Sequence, residues 1–281
     1  MARLDQELVA RGFARSRSHA AQLISAGRVR RGGTIVRKAS AATSADDTLD
    51  VEQRGEDYVS RAGTKLDGAL RAFPFLDPVG KRCLDAGAST GGFTEVLLRR
   101  GARQVAAVDV GHGQLVQQLR DDPRVQVFEG MNVRSLDPAA IGGQVQLTVA
   151  DLSFISLRLV MDALAGATGA GGELLLMVKP QFEVGRSKIN RSGVVTCPDE
   201  RRRAVAGVVR SALGYGLSVV GIAQSELPGQ DGNREYFVCI KVPSGVRVPR
   251  IEGELDRLTE HALEQAYLFP GRPTNQTELD E

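Results

Sequence analysis

Cys83-Leu84-Asp85-Ala86-Gly87-Ala88-Ser89-Thr90-Gly91-Gly92-Phe93-Thr94 is the stretch on which the fold of this chain turns. It reads as a strand that runs into a glycine-rich turn and opens a helix. Glycines let the backbone approach a ligand closely, and Asp85, at the carboxyl end of the strand, can accept a hydrogen bond from an amine. The G-x-G-x-x-G spacing of a pyrophosphate-binding turn is absent. The spacing present, D-x-G-x-x-x-G-G-F, suits a cationic ligand that carries an amino acid.

Outward from this turn, apolar strand-like runs recur at residues 82–84, 104–110, 125–128, 145–150, 173–178, 217–223 and 236–242, with helical patterns between most of them. Strands separated by helix-length crossovers imply an α/β domain with a mostly parallel sheet covered on both faces. The last two runs are joined by a turn-rich stretch, residues 228–233, so the seventh strand is expected antiparallel, at or near the edge. Sheets of S-adenosylmethionine-dependent methyltransferases end in this way. That cofactor is a cationic amino-acid derivative, and the candidates to hold it are Asp85, Gly87, Ala88, Ser89, Thr90, Gly91, Gly92 and Phe93. Asp109, ending the next strand, stands where an acid accepts ribose hydroxyls in Rossmann sites, and Asn132 follows the third strand within reach of an adenine.

A second constellation is scattered along the chain: Lys65, Asp151, Lys179 and Glu235. In an open α/β sheet the carboxyl ends of successive parallel strands face one crevice, so Asp85, Asp109, Asp151 and Lys179 should converge there. Glu235, opening an antiparallel strand, would face the same side. Any one of them alone would be an ordinary solvated strand-end charge; four at one rim suit the activation of a hydroxyl. A ribose hydroxyl attacks a sulfonium methyl only if it is deprotonated or strongly polarised, and held in line. A lysine serves as base only when neutral, which desolvation or a neighbouring positive charge favours. Lys65 could supply that charge, Asp151 would orient Lys179, and Glu235 would hold Lys65 or the ribose.

Composition sets the frame. The 281 residues are 42% apolar and 25% charged, in the range of ordinary globular chains, and suit a small domain joined to a larger one. No apolar run reaches the length of a membrane span, and MARLDQELVARG carries acids where a signal peptide needs its apolar stretch, so the reading is a cytoplasmic protein with no membrane insertion. Cys83, Cys197 and Cys239 lack zinc or disulfide spacing, and no metal is expected. The net charge of +2 conceals an asymmetry. Residues 1–38 hold nine Lys/Arg against Asp5 and Glu7, whereas residues 251–281 hold eight acids against Arg257 and Arg272. A basic front end suits a polyanion, and an acidic tail does not.

That front end reads as a small α+β unit. Helical patterns over residues 4–9 and after a candidate cap at Ser16 are stopped by Gly12 and Gly27. Two short strands flank Gly32-Gly33, a polar loop covers residues 39–47, and a further strand covers 48–51. The resulting organisation is 1–52 for the RNA-binding unit, 53–60 for a linker, 61–250 for the catalytic domain beginning with a helix over 61–73, and 251–281 for an amphipathic helix over 254–268 and a disordered acidic tail.

The catalytic segment resembles FtsJ-type ribose methyltransferases, whose Lys-Asp-Lys-Glu tetrad falls here on Lys65, Asp151, Lys179 and Glu235. From Arg3 to about Val242 the chain is similar to the TlyA family of ribosomal RNA 2′-O-methyltransferases, also called haemolysins. The shared blocks are Arg3-Leu4-Asp5, Ser16-Arg17 and Gly27-Arg28-Val29 of an S4 RNA-binding domain, Tyr58-Val59-Ser60-Arg61, residues 85–94, Ala150-Asp151-Leu152-Ser153-Phe154-Ile155-Ser156, Val178-Lys179-Pro180-Gln181-Phe182-Glu183 and Gly232-Asn233-Arg234-Glu235-Tyr236-Phe237. Tyr58 stands where some members carry Trp, Ala62 where glycine is common, and the tail beyond residue 250 lies outside the match. The resemblance implies 2′-O-methylation of cytidine in ribosomal RNA of one or both subunits, with ribosomal RNA or subunits as partner. Arg3, Arg15, Arg17, Arg28, Arg30 and Arg31 are then the phosphate contacts, reading RNA by shape, since few aromatics are interleaved for stacking. Two rival readings are an RNA-binding protein with an idle Rossmann domain and a membrane-active haemolysin; for the second the sequence offers neither a span nor a basic amphipathic helix.

Overall fold

A computed structural model describes residues 2–14, 17–44, 46–52, 58–229 and 231–265 of the chain. These divide into two compact units, Met1–Val59 and Ser60–Glu281.

The first unit runs β1 (Ala2–Arg3), α1 (Leu4–Ala10), α2 (Arg17–Ser25), β2 (Val29–Arg31), β3 (Thr34–Ile35), β4 (Ala42–Thr43) and β5 (Leu49–Val51). Strands β3, β2 and β5 form one small antiparallel sheet, and β1 pairs with β4 in another. Leu4 and Leu8, one helical turn apart, join Leu23, Ile24, Val29 and Leu49 in the core of this unit. Strand β4 lies inside the segment expected to be a polar loop; its two residues are recruited by pairing with Ala2 and Arg3, a tertiary contact that local composition does not announce. The proposed cap Ser16 and the contact residue Arg15 lie outside the described residues, as do most of the expected linker and the tail beyond residue 265.

The second unit runs α3 (Arg61–Ala72), β6 (Arg82–Ala86), α4 (Gly92–Arg99), β7 (Gln104–Asp109), α5 (Gln117–Arg120), β8 (Val125–Glu129), β9 (Val145–Ala150), α6 (Met161–Ala167), β10 (Thr168–Val178), α7 (Pro180–Glu183), α8 (Pro198–Gly214), β11 (Ser218–Gln224), β12 (Tyr236–Lys241) and α9 (Glu252–Glu264). One seven-stranded sheet has the order β11-β12-β10-β9-β6-β7-β8. Strands β8, β7, β6, β9 and β10 are parallel, and β12 runs antiparallel to both its neighbours, β10 and β11. The last strand is thus antiparallel as expected, one place in from the edge.

Alternation along the strands sorts the core into two layers. Leu84, Ala86, Leu174, Leu176, Val238 and Ile240 meet Met161 and Leu164 of α6, Val205, Val208 and Val209 of α8, and Leu255 and Leu263 of α9. The opposite face carries α3 and α4, where Phe93 stacks on Phe237 at 6.3 Å between ring centroids. Strand β10 begins five residues before the expected Glu173. Its run Gly169, Gly171 and Gly172 reads as a turn, yet the chain leaves α6 and enters the sheet at once, with a register shift against β9 between Thr168 and Glu173. The hydroxyls of Thr168 and Thr148, 2.7 Å apart and buried, secure that early pairing.

Phe237 is 1% exposed, on the sheet face that α4 covers. Phe237→Ala is expected to lower the unfolding free energy of the second unit by about 3–5 kcal/mol through lost burial and a residual cavity. Denaturant unfolding followed by circular dichroism measures this; a loss below about 1 kcal/mol would show that α4 is not clamped to the sheet by this pair.

Candidate active site

The glycine-rich turn is shaped by what presses on it. Gly87 adopts φ +87°, and a side chain there would come within 2.6 Å of the carbonyl oxygen of Asp151. The amide of Asp151 in turn donates to the carbonyl of Ala86 at 3.1 Å, so the end of β9 is bonded directly to the end of β6. At Gly92 a side chain would strike Ser60 Oγ and the amide nitrogen of Gly63, which fixes α4 against the start of α3. Gly91, Gly92 and Phe93 are consequently buried, and Ser89 and Thr90 form the exposed crest of the turn.

Three acids gather beneath and beside that crest. Asp85 is fully buried; its Oδ2 accepts from Thr94 Oγ1 at 2.7 Å, and its Oδ1 has no donor. Burial pushes its carboxyl up to about 7, and the neighbouring charges of Asp151 and Asp109 act in the same direction. Asp109 receives the amide of Ser89 at 2.8 Å and that of Gly111 at 2.7 Å. Asn132, exposed, caps the short helix at residues 133–135 through the amide of Arg134, a local bond of its Oδ1.

The four scattered residues form two ion pairs. Lys65 Nζ donates to Glu235 Oε2 at 2.5 Å, with side chains only 10% and 3% exposed. Lys179 Nζ lies 2.6 Å from Asp151 Oδ1 and donates to Ser153 Oγ at 2.9 Å. The topology explains the meeting. Val178 pairs with Tyr236, so Lys179 and Glu235 sit one step past that rung on adjacent antiparallel strands. Asp151 follows Ala150 on β9, the parallel neighbour of β10. Lys65 comes from the middle of α3, held over the sheet by its contact with α4.

Phe154 is the site residue that reading the sequence passes over. It is 91% exposed and adopts φ +63°; it and Ser89, at φ +47°, are the non-glycine residues with positive φ among the described ones. Both lie in the loops around the acids. Left-handed backbone is costly for a residue with a side chain and persists where the surroundings enforce it, often at ligand sites. The Phe154 ring packs on Phe182, 5.1 Å between centroids, and Lys179 Nζ stands 6.0 Å from the Phe182 centroid. The available signal was an aromatic beside a serine in the strand-end segment Ser153-Phe154-Ile155-Ser156.

In the first unit, Arg3 and Arg17 both bind the carboxylate of Asp5, at 2.9 and 3.1 Å, and hold it at about 2, well below the usual range. Arg28 donates to the carbonyl of Glu52 at 2.9 Å, Arg30 to that of Gly33 at 3.2 Å, and Arg31 to that of Ala42 at 2.5 Å. Each guanidinium has five N–H donors in a fixed fork, and these bonds orient the side chains.

The family model of FtsJ-like methyltransferases matches residues 58–242 and that of the S4 domain residues 2–49. The chain is 53% identical over 241 residues to the 16S/23S rRNA (cytidine-2′-O)-methyltransferase TlyA of Mycobacterium tuberculosis, spanning 85% of this chain and 90% of that protein. It is 34% identical over 236 residues to Hemolysin A of Brachyspira hyodysenteriae, spanning 84% of this chain and 98% of that one. A solved structure from Streptococcus thermophilus that carries a hemolysin name aligns with a TM-score of 0.69 at 34% identity, over 94% of this chain and 96% of that chain. The chain belongs to the TlyA family, FtsJ-like methyltransferases that carry an S4 domain ahead of the catalytic fold.

Proposed function

We propose that this protein transfers a methyl group from S-adenosylmethionine to the 2′-hydroxyl of a cytidine in ribosomal RNA, with residues 1–52 binding the RNA, 53–60 linking, and 61–250 performing the reaction. The observation that carries the reading is the pair of ion pairs, Lys65–Glu235 and Lys179–Asp151, set at the strand ends beside the glycine-rich turn.

The residues fit the cofactor by charge. Asp85, Asp109 and Asp151 end three adjacent strands, and Asp85 keeps a buried oxygen with no donor. Such a set repels a pyrophosphate and suits a ligand with an ammonium and a sulfonium. When bound, the cofactor supplies a methyl group on positively charged sulfur. Residues 87–93 would cradle it, Asp85 and Asp151 would answer its positive charge, Asp109 would take its ribose hydroxyls, and Asn132 would meet its adenine. Lys179, fixed between Asp151 and Ser153, would polarise the ribose hydroxyl and, only in its neutral form after giving up its own proton, accept the hydroxyl's. Lys65, fixed by Glu235, adds positive field that stabilises the oxygen as charge develops. The exposed ring of Phe154 offers a face for the base of the same nucleotide. Arg3, Arg15, Arg17, Arg28, Arg30 and Arg31 contact phosphates. The hemolysin names belong to relatives; among the described residues no helix is long and apolar enough to cross a membrane.

Three outcomes are expected. With labelled S-adenosylmethionine and ribosomal subunits that lack the modification, the wild type labels RNA at a 2′-O position, and Lys179→Ala lowers the rate at least about a hundredfold while binding RNA as before; transfer at the wild-type rate by the variant would remove Lys179 from the chemistry. Affinity for RNA falls with salt, and Arg30→Ala reduces the slope of log K against log salt by about one phosphate contact, an effect that a filter-binding titration would show to be absent if Arg30 faces away from RNA. Because the Asp85 carboxyl is raised from 3.8 to about 7, the folded chain binds a proton that the unfolded chain has released across that window, so stability declines as pH rises from about 4 to about 7. Asp85→Asn should flatten this slope in denaturant midpoints taken across the range; an unchanged slope would place its origin elsewhere.

A further inference from the structure

Two blocks of the family pattern, residues 150–156 and 178–183, contain more than the reaction uses. Asp151 and Lys179 have places in it; Ser156 and Glu183 have none. The structure gives them one. Glu183, the last residue of α7, has a side chain only 2% exposed. Its carboxylate accepts from Ser156 Oγ at 2.5 Å, from the amide of Leu157 at 2.7 Å and from Arg158 Nε at 3.3 Å. All three donors belong to the loop that follows β9, and the acceptor belongs to the segment that follows β10.

The two segments are therefore stitched at successive levels. Nearest the sheet, Asp151 meets Lys179. Next, Lys179 donates to Ser153 and Phe154 packs on Phe182. Farthest out, Glu183 gathers residues 156–158. The start of the loop is fixed as well, by the bond from the Asp151 amide to Ala86. Between these anchors stands Phe154 in left-handed backbone with its ring in solvent. A free loop would not keep that combination, since both the φ angle and the exposed ring are unfavourable. Leu157 is buried in the core and Ile155 packs against it, whereas on the outer side Arg158 and Glu183 line an open cleft of about 230 Å³ with Lys188, Glu200 and Arg203, so the carboxylate is what ties down that side of the loop.

We propose that Glu183 is a positioning residue for methyl transfer: it holds the loop after β9 so that Phe154 and Ser153 keep their places beside Lys179, and this placement governs productive binding of the RNA nucleotide but not binding of the cofactor. The kinetic part rests on the reading of RNA as substrate; the structural part does not. The cofactor residues lie on β6, β7, the turn after β6 and the segment after β8, together with Asp151, which is fixed by its own amide bond to Ala86; none of the bonds that place them passes through Glu183. Loss of Glu183 should therefore separate the two ligands.

The chain contains no tryptophan, so Phe154→Trp installs a single fluorescent reporter at the strained position. In that background Glu183→Gln should lower the anisotropy of the tryptophan and raise its quenching by acrylamide, since the amide replaces one of the two acceptor oxygens with a donor. With Phe154 intact, Glu183→Gln should raise KM for unmodified ribosomal subunits about tenfold, the size expected from loss of a charged hydrogen bond, with calorimetric affinity for S-adenosylmethionine within about twofold of wild type. Ser156→Ala, which keeps the carboxylate and removes one donor, should show the same pattern more weakly, and the double variant should be no worse than Glu183→Gln alone; the single variant Ser156→Ala also serves if Glu183→Gln fails to fold. Unchanged anisotropy in both variants, or cofactor affinity falling in step with KM, would overturn the proposal. If the wild type labels no RNA at all, the substrate reading fails and the tryptophan signal still decides whether Glu183 holds the loop.

Discussion

Three carboxylates, Asp85, Asp109 and Asp151, end three strands that lie side by side, and the arrangement of the catalytic unit follows from containing that negative charge. Each is met differently. Asp109 is satisfied by two backbone amides, Asp151 by the ammonium of Lys179, and Asp85 by the Thr94 hydroxyl, its carboxyl pushed up to about 7 by burial. Of the amides that serve Asp109, one comes from the turn bent into left-handed backbone at Ser89 and one from Gly111 just beyond its own strand, and the ammonium that serves Asp151 comes from the strand on its other side. Removing one acid would relieve repulsion and at the same time release the donors that shape the crevice. The crevice is in this sense organised for a cation before any cation arrives.

Much of this was legible in the residues. The alternation of apolar strands and helices, the glycine turn after Asp85 and the strand-end positions of Asp151, Lys179 and Glu235 follow from local pattern, because parallel strands with crossover helices leave few topologies open. What stayed hidden depended on contacts between distant segments. Strand β4 forms from residues with no strand signature because β1 lies beside it. Strand β10 starts within a glycine run because threonine hydroxyls and α6 hold it there. The partition of the tetrad into Lys65–Glu235 and Lys179–Asp151 is likewise set by register and helix placement, and the strained Phe154 has no marker in composition.

The first unit shows a related economy in its arginines. Arg3 and Arg17 share Asp5, and Arg28, Arg30 and Arg31 lean on backbone carbonyls. Side chains held in this way have less rotamer freedom left to lose than free ones, so part of the cost of ordering them is met in folding.

The antiparallel strand β12 has one more effect. Because it runs against its neighbours, its first residues rather than its last reach the crevice, and Glu235 meets a lysine 170 positions earlier in the chain. The Lys179–Asp151 pair closes over 28 positions and can form while the chain is still being made. The other half cannot. During synthesis, every length of chain that stops short of Glu235 leaves Lys65 without its counter-ion, so the site becomes whole only when nearly all of the catalytic unit has left the ribosome.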